Sequence, residues 1–323
     1  MGGYRKGERC VKRKTWFAFA LAAALLLVSL TGCGESGRSA DDTVGDGTYL
    51  LTVDGYGVTE EEFLLFLSGQ KAVTANYFWT NYQIQPDANF WTTPVNGETP
   101  IEYARERALK ELITAKVTFI LASEWDILPY QDYNGLMEEM EAENAGRVQK
   151  LESGEVFYGV SQFTPFTYYQ YLNNNAGAEL EYAQRKMADP TEEELAQVYK
   201  TYKEYFQLGT DYVYEAVYED GSRENVTQNS LEVGKEDYTT ELLLEEFASM
   251  ECGQMLYGVN FHGRTADILL QEKTYLGYAD PEDVEDSLRN LYAREKVSEL
   301  IQTRAQEAQV EIDHERFDAI EMP

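Results

Sequence analysis

Side chains able to do covalent or metal chemistry are scarce: three cysteines and two histidines in 323 residues. Cys252 and His262 are the one pair that suggests a thiol nucleophile with its base, an arrangement that needs hydrogen-bond reach and a third, orienting group. Cys252 ends a helical pattern at a glycine turn, His262 falls in a loop, and no orienting group is apparent, so they read as a structural cysteine and a surface histidine. His314 sits in an acidic tail. Two histidines and one cysteine cannot build a typical zinc site without carboxylates. The run Glu138, Glu139, Glu141, Glu143 lacks the Asp/Asn–Gly alternation of a calcium loop and reads as a solvated helix face. Neither a phosphate-binding loop nor a dinucleotide glycine pattern is present. No catalytic residue, metal or cofactor is expected.

What the chain concentrates instead is rings. Residues 155–172 hold Phe157, Tyr158, Phe163, Phe166, Tyr168, Tyr169 and Tyr171. Two readings stand side by side. The rings fill the groove between helices, or some of them line a surface for extended apolar segments, since a tyrosine has one apolar face and one wet end.

The elements that must carry these rings start with the stretch 99–126. Thr99, Pro100 and Glu102 form a capping box with proline at the first helical position. Ile101, Ala104, Ala108 and Leu112 then recur at helical spacing, and beyond Leu112 the polar face nearly disappears. Such a helix, about 35–40 Å long, starts at a surface and ends in a core. Thr59 with Glu62 predicts a second capping box and a helix over 60–77, and Thr164-Pro165 a helix to Met187. Thr191 with Glu194 predicts another, carrying Leu195, Val198, Tyr199, Tyr202 and Phe206. From Asp211 the period changes to two, predicting strands at 212–218, 223–231 and 264–271 around a helix at 238–250. A long helix from Asp280 to about Gln309 and a short strand at Val310–Ile312 follow.

Arg5, Lys6, Arg9, Lys12, Arg13 and Lys14 precede an apolar run from Trp16 to Leu30, too short for a membrane span and right for a signal-peptide core. The run ends in Leu30-Thr31-Gly32-Cys33, which resembles a bacterial lipobox; the resemblance implies lipidation of Cys33 and a flexible tether after it. Cleavage would take six basic residues and Glu8 from the 27 basic and 57 acidic ones, leaving 21 and 56. That acidity excludes nucleic acid as a partner and disfavours anionic lipid at the folded surface, so the acyl chain would do the tethering. With Cys10 removed and Cys33 acylated, Cys252 is left without a disulfide partner.

Val53-Asp54-Gly55-Tyr56-Gly57-Val58-Thr59-Glu60-Glu61-Glu62-Phe63, followed by the long helix, resembles the N-terminal module of SurA/PrsA-type extracytoplasmic chaperones. Pro190-Thr191-Glu192-Glu193-Glu194-Leu195, continuing through Tyr199, Tyr202 and Tyr205-Phe206, resembles the helix that in that family leads into a parvulin-type prolyl isomerase domain. The resemblance covers about 48–206 and, more loosely, 280–313. It implies a chaperone-like protein whose terminal helix returns to complete the N-terminal lobe. It does not extend to catalysis. Parvulins carry histidines on the first and last strands, where this chain has Val213-Tyr214-Glu215-Ala216-Val217 and Ala266-Asp267-Ile268-Leu269.

The resulting expectation is an α+β protein, mainly α. Residues 1–32 are a lipoprotein signal peptide and 33–47 a tether. Residues 48–207 form a helical chaperone-like domain, 208–279 a small α/β domain, either a shrunken, inactive relative of parvulin or an unrelated insert. Residues 280–313 are a helix packing back on the helical domain and 314–323 a tail. The function expected is binding of unfolded exported polypeptides without ATP, at the outer face of a Gram-positive cytoplasmic membrane. The alternatives are a divergent prolyl isomerase and an envelope lipoprotein serving one dedicated partner.

Overall fold

In a computed structural model of the protein, the residues described are 47–156, 158–234 and 238–323. The expected signal peptide 1–32, the lipidation site Cys33, all but the last residue of the tether, and Phe157 lie outside them.

β1 (Leu51–Val53) and β2 (Tyr56–Val58) form a hairpin whose turn residues, Asp54 and Gly55, both have positive φ (51° and 81°). That is the geometry tight two-residue hairpins require, and the reason for Asp-Gly there. α1 (Glu60–Gly69) starts at Thr59, whose Oγ1 accepts the Glu62 N–H. The expected capping box stops halfway, because the Glu62 carboxylate turns into the core. The helix predicted over 60–77 breaks at Gln70, and α2 (Lys71–Tyr82) continues in a new direction before a loop. α3 (Pro100–Glu124) has the full reciprocal cap: the Thr99 N–H donates to Glu102 Oε2 at 2.9 Å and the Glu102 N–H to Thr99 Oγ1 at 3.3 Å. α4 (Tyr133–Ser153), α5 (Pro165–Met187) and α6 (Glu192–Tyr202) follow, with a 3-10 turn at Lys203–Phe206.

The small sheet comprises β3 (Gln207–Tyr218), β4 (Arg223–Asn229), β5 (Met255–Phe261) and β6 (Arg264–Tyr278), antiparallel throughout in the order β4-β3-β6-β5. α7 (Tyr238–Ser249) covers one face. Its Leu243, Leu244 and Phe247 pack on Tyr212, Tyr214, Ala216, Phe261, Ile268 and Leu270, the alternate residues of the strands beneath. β5 is absent from the sequence expectation, because Gly258 and Asn260 interrupt its pattern and a register shift lies between Leu256 and Val259.

The chain then returns. α8 (Glu285–Glu307) contributes Val297 to the core of the helical lobe, and β7 (Val310–Ile312) pairs with β1, Leu51 opposite Ile312. Residues 314–323, expected as a tail, contain α9 (His314–Ala319). Phe317 and Ile320 are buried, the Phe317 ring 5.0 Å from that of Phe63, while Arg316 holds the carbonyls of Gly47 and Tyr49 and the Glu60 carboxylate. The main core runs from Leu51, Phe63 and Leu67 through Ala104, Ala108, Leu112 and Leu121 of α3 to Phe317. A lesser cluster joins α6 to α8 through Leu195, Val198 and Leu288. The fold is α+β and mainly helical.

Candidate functional site

The rings of 157–171 divide between inside and outside. Tyr168 and Tyr169 are buried, Phe163 and Phe166 half-buried, Tyr171 is 45% exposed and Tyr158 92% exposed. Tyr169 packs edge-on against Phe66 and Phe119, and its hydroxyl donates to Glu62 Oε1 at 2.9 Å. The same carboxylate lies 3.1 Å from Lys116 Nζ, and both side chains are buried. Burial opposes the charge on Lys116, but the Glu62 carboxylate and the Tyr130 hydroxyl outweigh that, and the ammonium is held more firmly than usual. Burial raises the Tyr169 hydroxyl far above the ordinary tyrosine range, and the adjacent Glu62 charge adds to it. A buried, hydrogen-bonded ion pair serves geometry more than stability. This one ties α1, α3 and α5 together.

Outside the core, the loop after α4 carries Tyr158 and Phe163, and the first turns of α5 carry Phe166 and Tyr171. Asn144 grips the backbone of Phe163 from both sides, its Nδ2 donating to the carbonyl and its Oδ1 accepting the N–H. Arg147 donates to the Val160 carbonyl at 2.6 Å and lies 4.5 Å over the Phe163 ring. Held at that end, the loop leaves Val156, Tyr158 and Val160 in solvent; Leu151 and Tyr171 are exposed as well, and Tyr171 lies 5.2 Å from Phe163. Two more apolar patches occur elsewhere. One combines Tyr205, Leu208, Leu231, Tyr275 and Leu276, where the chain enters and leaves the small sheet. The other is an apolar groove of about 350 Å³ between α7 and the edge strand β5, lined by Tyr238, Leu242, Leu256 and Val259.

The chemistry considered for Cys252 and His262 has no geometric basis. They lie at opposite ends of the seven-residue β5, about 20 Å of strand apart. Under α7 the strands present Tyr212, Tyr214, Ala216, Ala266, Ile268 and Leu270. Asp267 accepts the Gly258 N–H at 2.9 Å from the other face. Among the described residues no group of three or more His, Cys, Asp or Glu is placed to hold a metal, and no helix is long and apolar enough to cross a membrane.

Sequence reasoning missed the Glu62–Lys116–Tyr169 set. The available signal was a lysine inside the apolar run Ala115–Ala122. It also missed a groove of about 410 Å³ between α3 and α5, floored by Phe66 and Tyr169.

No family model matches the chain. A curated relative, the chaperone for lacto-N-biosidase of Bifidobacterium longum, is 26% identical over 114 residues, which is 35% of this chain and 41% of that protein. The chain thus spans well under half the length of that relative. Among solved structures it is similar to a SurA-like chaperone of Campylobacter jejuni, with 12% identity and a TM-score of 0.32 over 82% of this chain and 99% of that one. It is also similar to the PrsA foldase of Lactococcus lactis, with 11% identity and a TM-score of 0.27 over 83% and 96%. The corresponding values for PrsA of Streptococcus pneumoniae are 13% and 0.26 over 84% and 97%. At such scores the weight of any functional reading falls on the residues themselves.

Proposed function

We propose that this chain is a SurA/PrsA-type chaperone-like protein that binds unfolded exported polypeptides without ATP and without isomerase activity. A lipid on Cys33 would tether it to the outer face of a Gram-positive cytoplasmic membrane. The observation that carries the reading is the set of three separate exposed apolar patches, around Tyr158, around Tyr275 and between α7 and β5, on a chain of net charge −30. Contiguous exposed apolar surface marks a place of interaction. Several weak patches suit a partner that is extended and must be released without an energy source. The strong negative charge keeps such a surface soluble and favours cationic, apolar segments.

The test is suppression of aggregation of a denatured protein, run beside prolyl isomerisation of a proline tetrapeptide. Suppression without isomerisation is expected, and replacing Val156, Tyr158 and Val160 together by serine should weaken it at unchanged melting temperature. Isomerisation would overturn the inactive assignment of 208–279.

One observation favours a second reading: the relative from Bifidobacterium longum is named for a single enzyme client. A chaperone dedicated to one exported enzyme would bind that enzyme and ignore unrelated denatured chains.

A further inference from the structure

The groove between α3 and α5 differs in kind from the three apolar patches. Its floor is the ring of Phe66, the ring of Tyr169 and Ala115, but its walls are polar and carry positive charge. On the α3 side stand Arg107, Lys110, Glu111 and Thr114, one face over two turns; on the α5 side stand Gln170, Asn173 and Asn174. Glu111 is neutralised in place: Gln70 Nε2 donates to it at 2.8 Å, Arg107 lies 3.6 Å away, and Arg107 Nε in turn donates to Gln70 Oε1 at 3.0 Å. Several cations of the helical lobe are taken up in this way, Arg105 with Asp318, Lys116 with Glu62, Arg147 with Glu143, Arg304 with Asp54 and Glu124, and Arg316 with Glu60, whereas exposed lysines such as Lys71, Lys150 and Lys200 are not among the described residues' ion pairs. Lys110 has no carboxylate partner among the described residues, in a chain with twice as many acids as bases. The amides of Gln170 and Asn174 are likewise uncommitted, while Asn173 spends one N–H on the Ala115 carbonyl at 2.9 Å.

We propose that this groove captures the free C-terminal end of an extended polypeptide, with Lys110 receiving the terminal carboxylate, the Gln170 and Asn174 amides pairing with backbone N–H and C=O groups, and an apolar terminal side chain resting on Phe66 and Tyr169. The inference rests on the chaperone reading and adds a point of attachment to it. Side-chain amides carry both a donor and an acceptor, which matches a peptide unit. A simple anion would call for donors only and has no use for an aromatic floor. The volume is within the range of small-ligand sites. Lys110 is exposed, so its attraction for a carboxylate is sensitive to salt.

The experiment is fluorescence anisotropy of a labelled pentapeptide ending in phenylalanine, as free acid and as C-terminal amide, with the purified chain. The acid is expected to bind about fivefold to tenfold more tightly, the range of one partly exposed charge-assisted contact. Lys110→Gln should abolish the difference and Lys110→Arg should keep it, both at unchanged melting temperature. Gln170→Ala with Asn174→Ala should weaken both peptides alike. Equal binding of acid and amide, or a difference that survives Lys110→Gln, overturns the proposal, as does displacement of the acid by inorganic phosphate at equal concentration. Aggregation suppression separates the two claims. If it persists while end selectivity is absent, the chaperone reading stands alone. Selective end binding without suppression leaves the groove assignment and removes the chaperone reading.

Discussion

The helical lobe and the small sheet both have to cover apolar faces, and they recruit cover from opposite distances along the chain. In the lobe, Leu51 pairs with Ile312, Phe63 packs on Phe317 and Arg105 donates to the carbonyl of Ile320. In the small domain every strand pairing, from Asp211↔Asn229 to Phe261↔Arg264, closes within residues 207–278. Its two ends meet, since Gln207 lies opposite Tyr278. Distant closure is slow and costs chain entropy, whereas hairpins form locally. The cores differ as well. The lobe buries a charged pair and its tyrosine hydroxyl, while the sheet has aliphatic and aromatic packing beneath α7 and leaves its other face and β5 edge uncovered.

The sharpest way to break this contrast is to end the chain after Ala279. That removes α8, β7 and α9, and the lobe is expected to lose its cooperative transition while the small sheet keeps its own. Tryptophan fluorescence distinguishes them, because Trp79, Trp91 and Trp125 all precede the small domain, which has none. A retained tryptophan-detected transition would show that the lobe closes without its C-terminal half.

Single substitutions sharpen the same contrast. Glu62→Ala leaves the Lys116 charge buried and unpaired and should cost about 3–5 kcal/mol in the tryptophan-detected transition. Glu62→Leu with Lys116→Met should recover most of it. Phe247→Ala empties the centre of the small core, where a cost of about 3–5 kcal/mol is expected, and should appear in circular dichroism but not in tryptophan emission. If both variants move both signals equally, the two regions unfold as one.

The smallest effect is on pH. The folded-state pKa values of Lys116, Tyr169 and Tyr130 are all raised, Lys116 by its partners and the tyrosines mainly by burial. For each, the unfolded chain gives up its proton first as pH rises. Their contribution is therefore complete below about pH 10 and lost progressively above it, as the ordinary lysine and tyrosine values are passed. The lobe should show a falling melting temperature from about pH 10 upward, shallower in the Glu62→Leu, Lys116→Met double variant. An identical slope in that variant would remove Lys116 as a source.

Much of the local structure was legible because it depends on neighbours three or four residues apart. The caps at Thr99, Thr164 and Thr191, the long apolar half of α3 and the change to period two near Asp211 all reappear as elements. The break at Gln70, the strand β5 and the packing of α9 were not. Gln70 is placed by Glu111 and Arg107 across the lobe, and Phe317 by Phe63. At the candidate site the ring count was legible, but which rings face outward was not: Tyr169 is turned in by Glu62, 107 residues away, while Asn144 and Arg147 hold the loop beyond Tyr158.

By itself, then, the amino-acid sequence determined where the capped helices and the first strands of the small sheet begin, and the acidity, since caps, periodicity and residue type act locally or by sum. Only the tertiary structure decided that Glu62 leaves its cap for a buried lysine, that the C-terminal residues seal the N-terminal sheet, and that the cationic groove lies between α3 and α5. Those outcomes hinge on contacts between residues far apart in sequence, which no local pattern encodes.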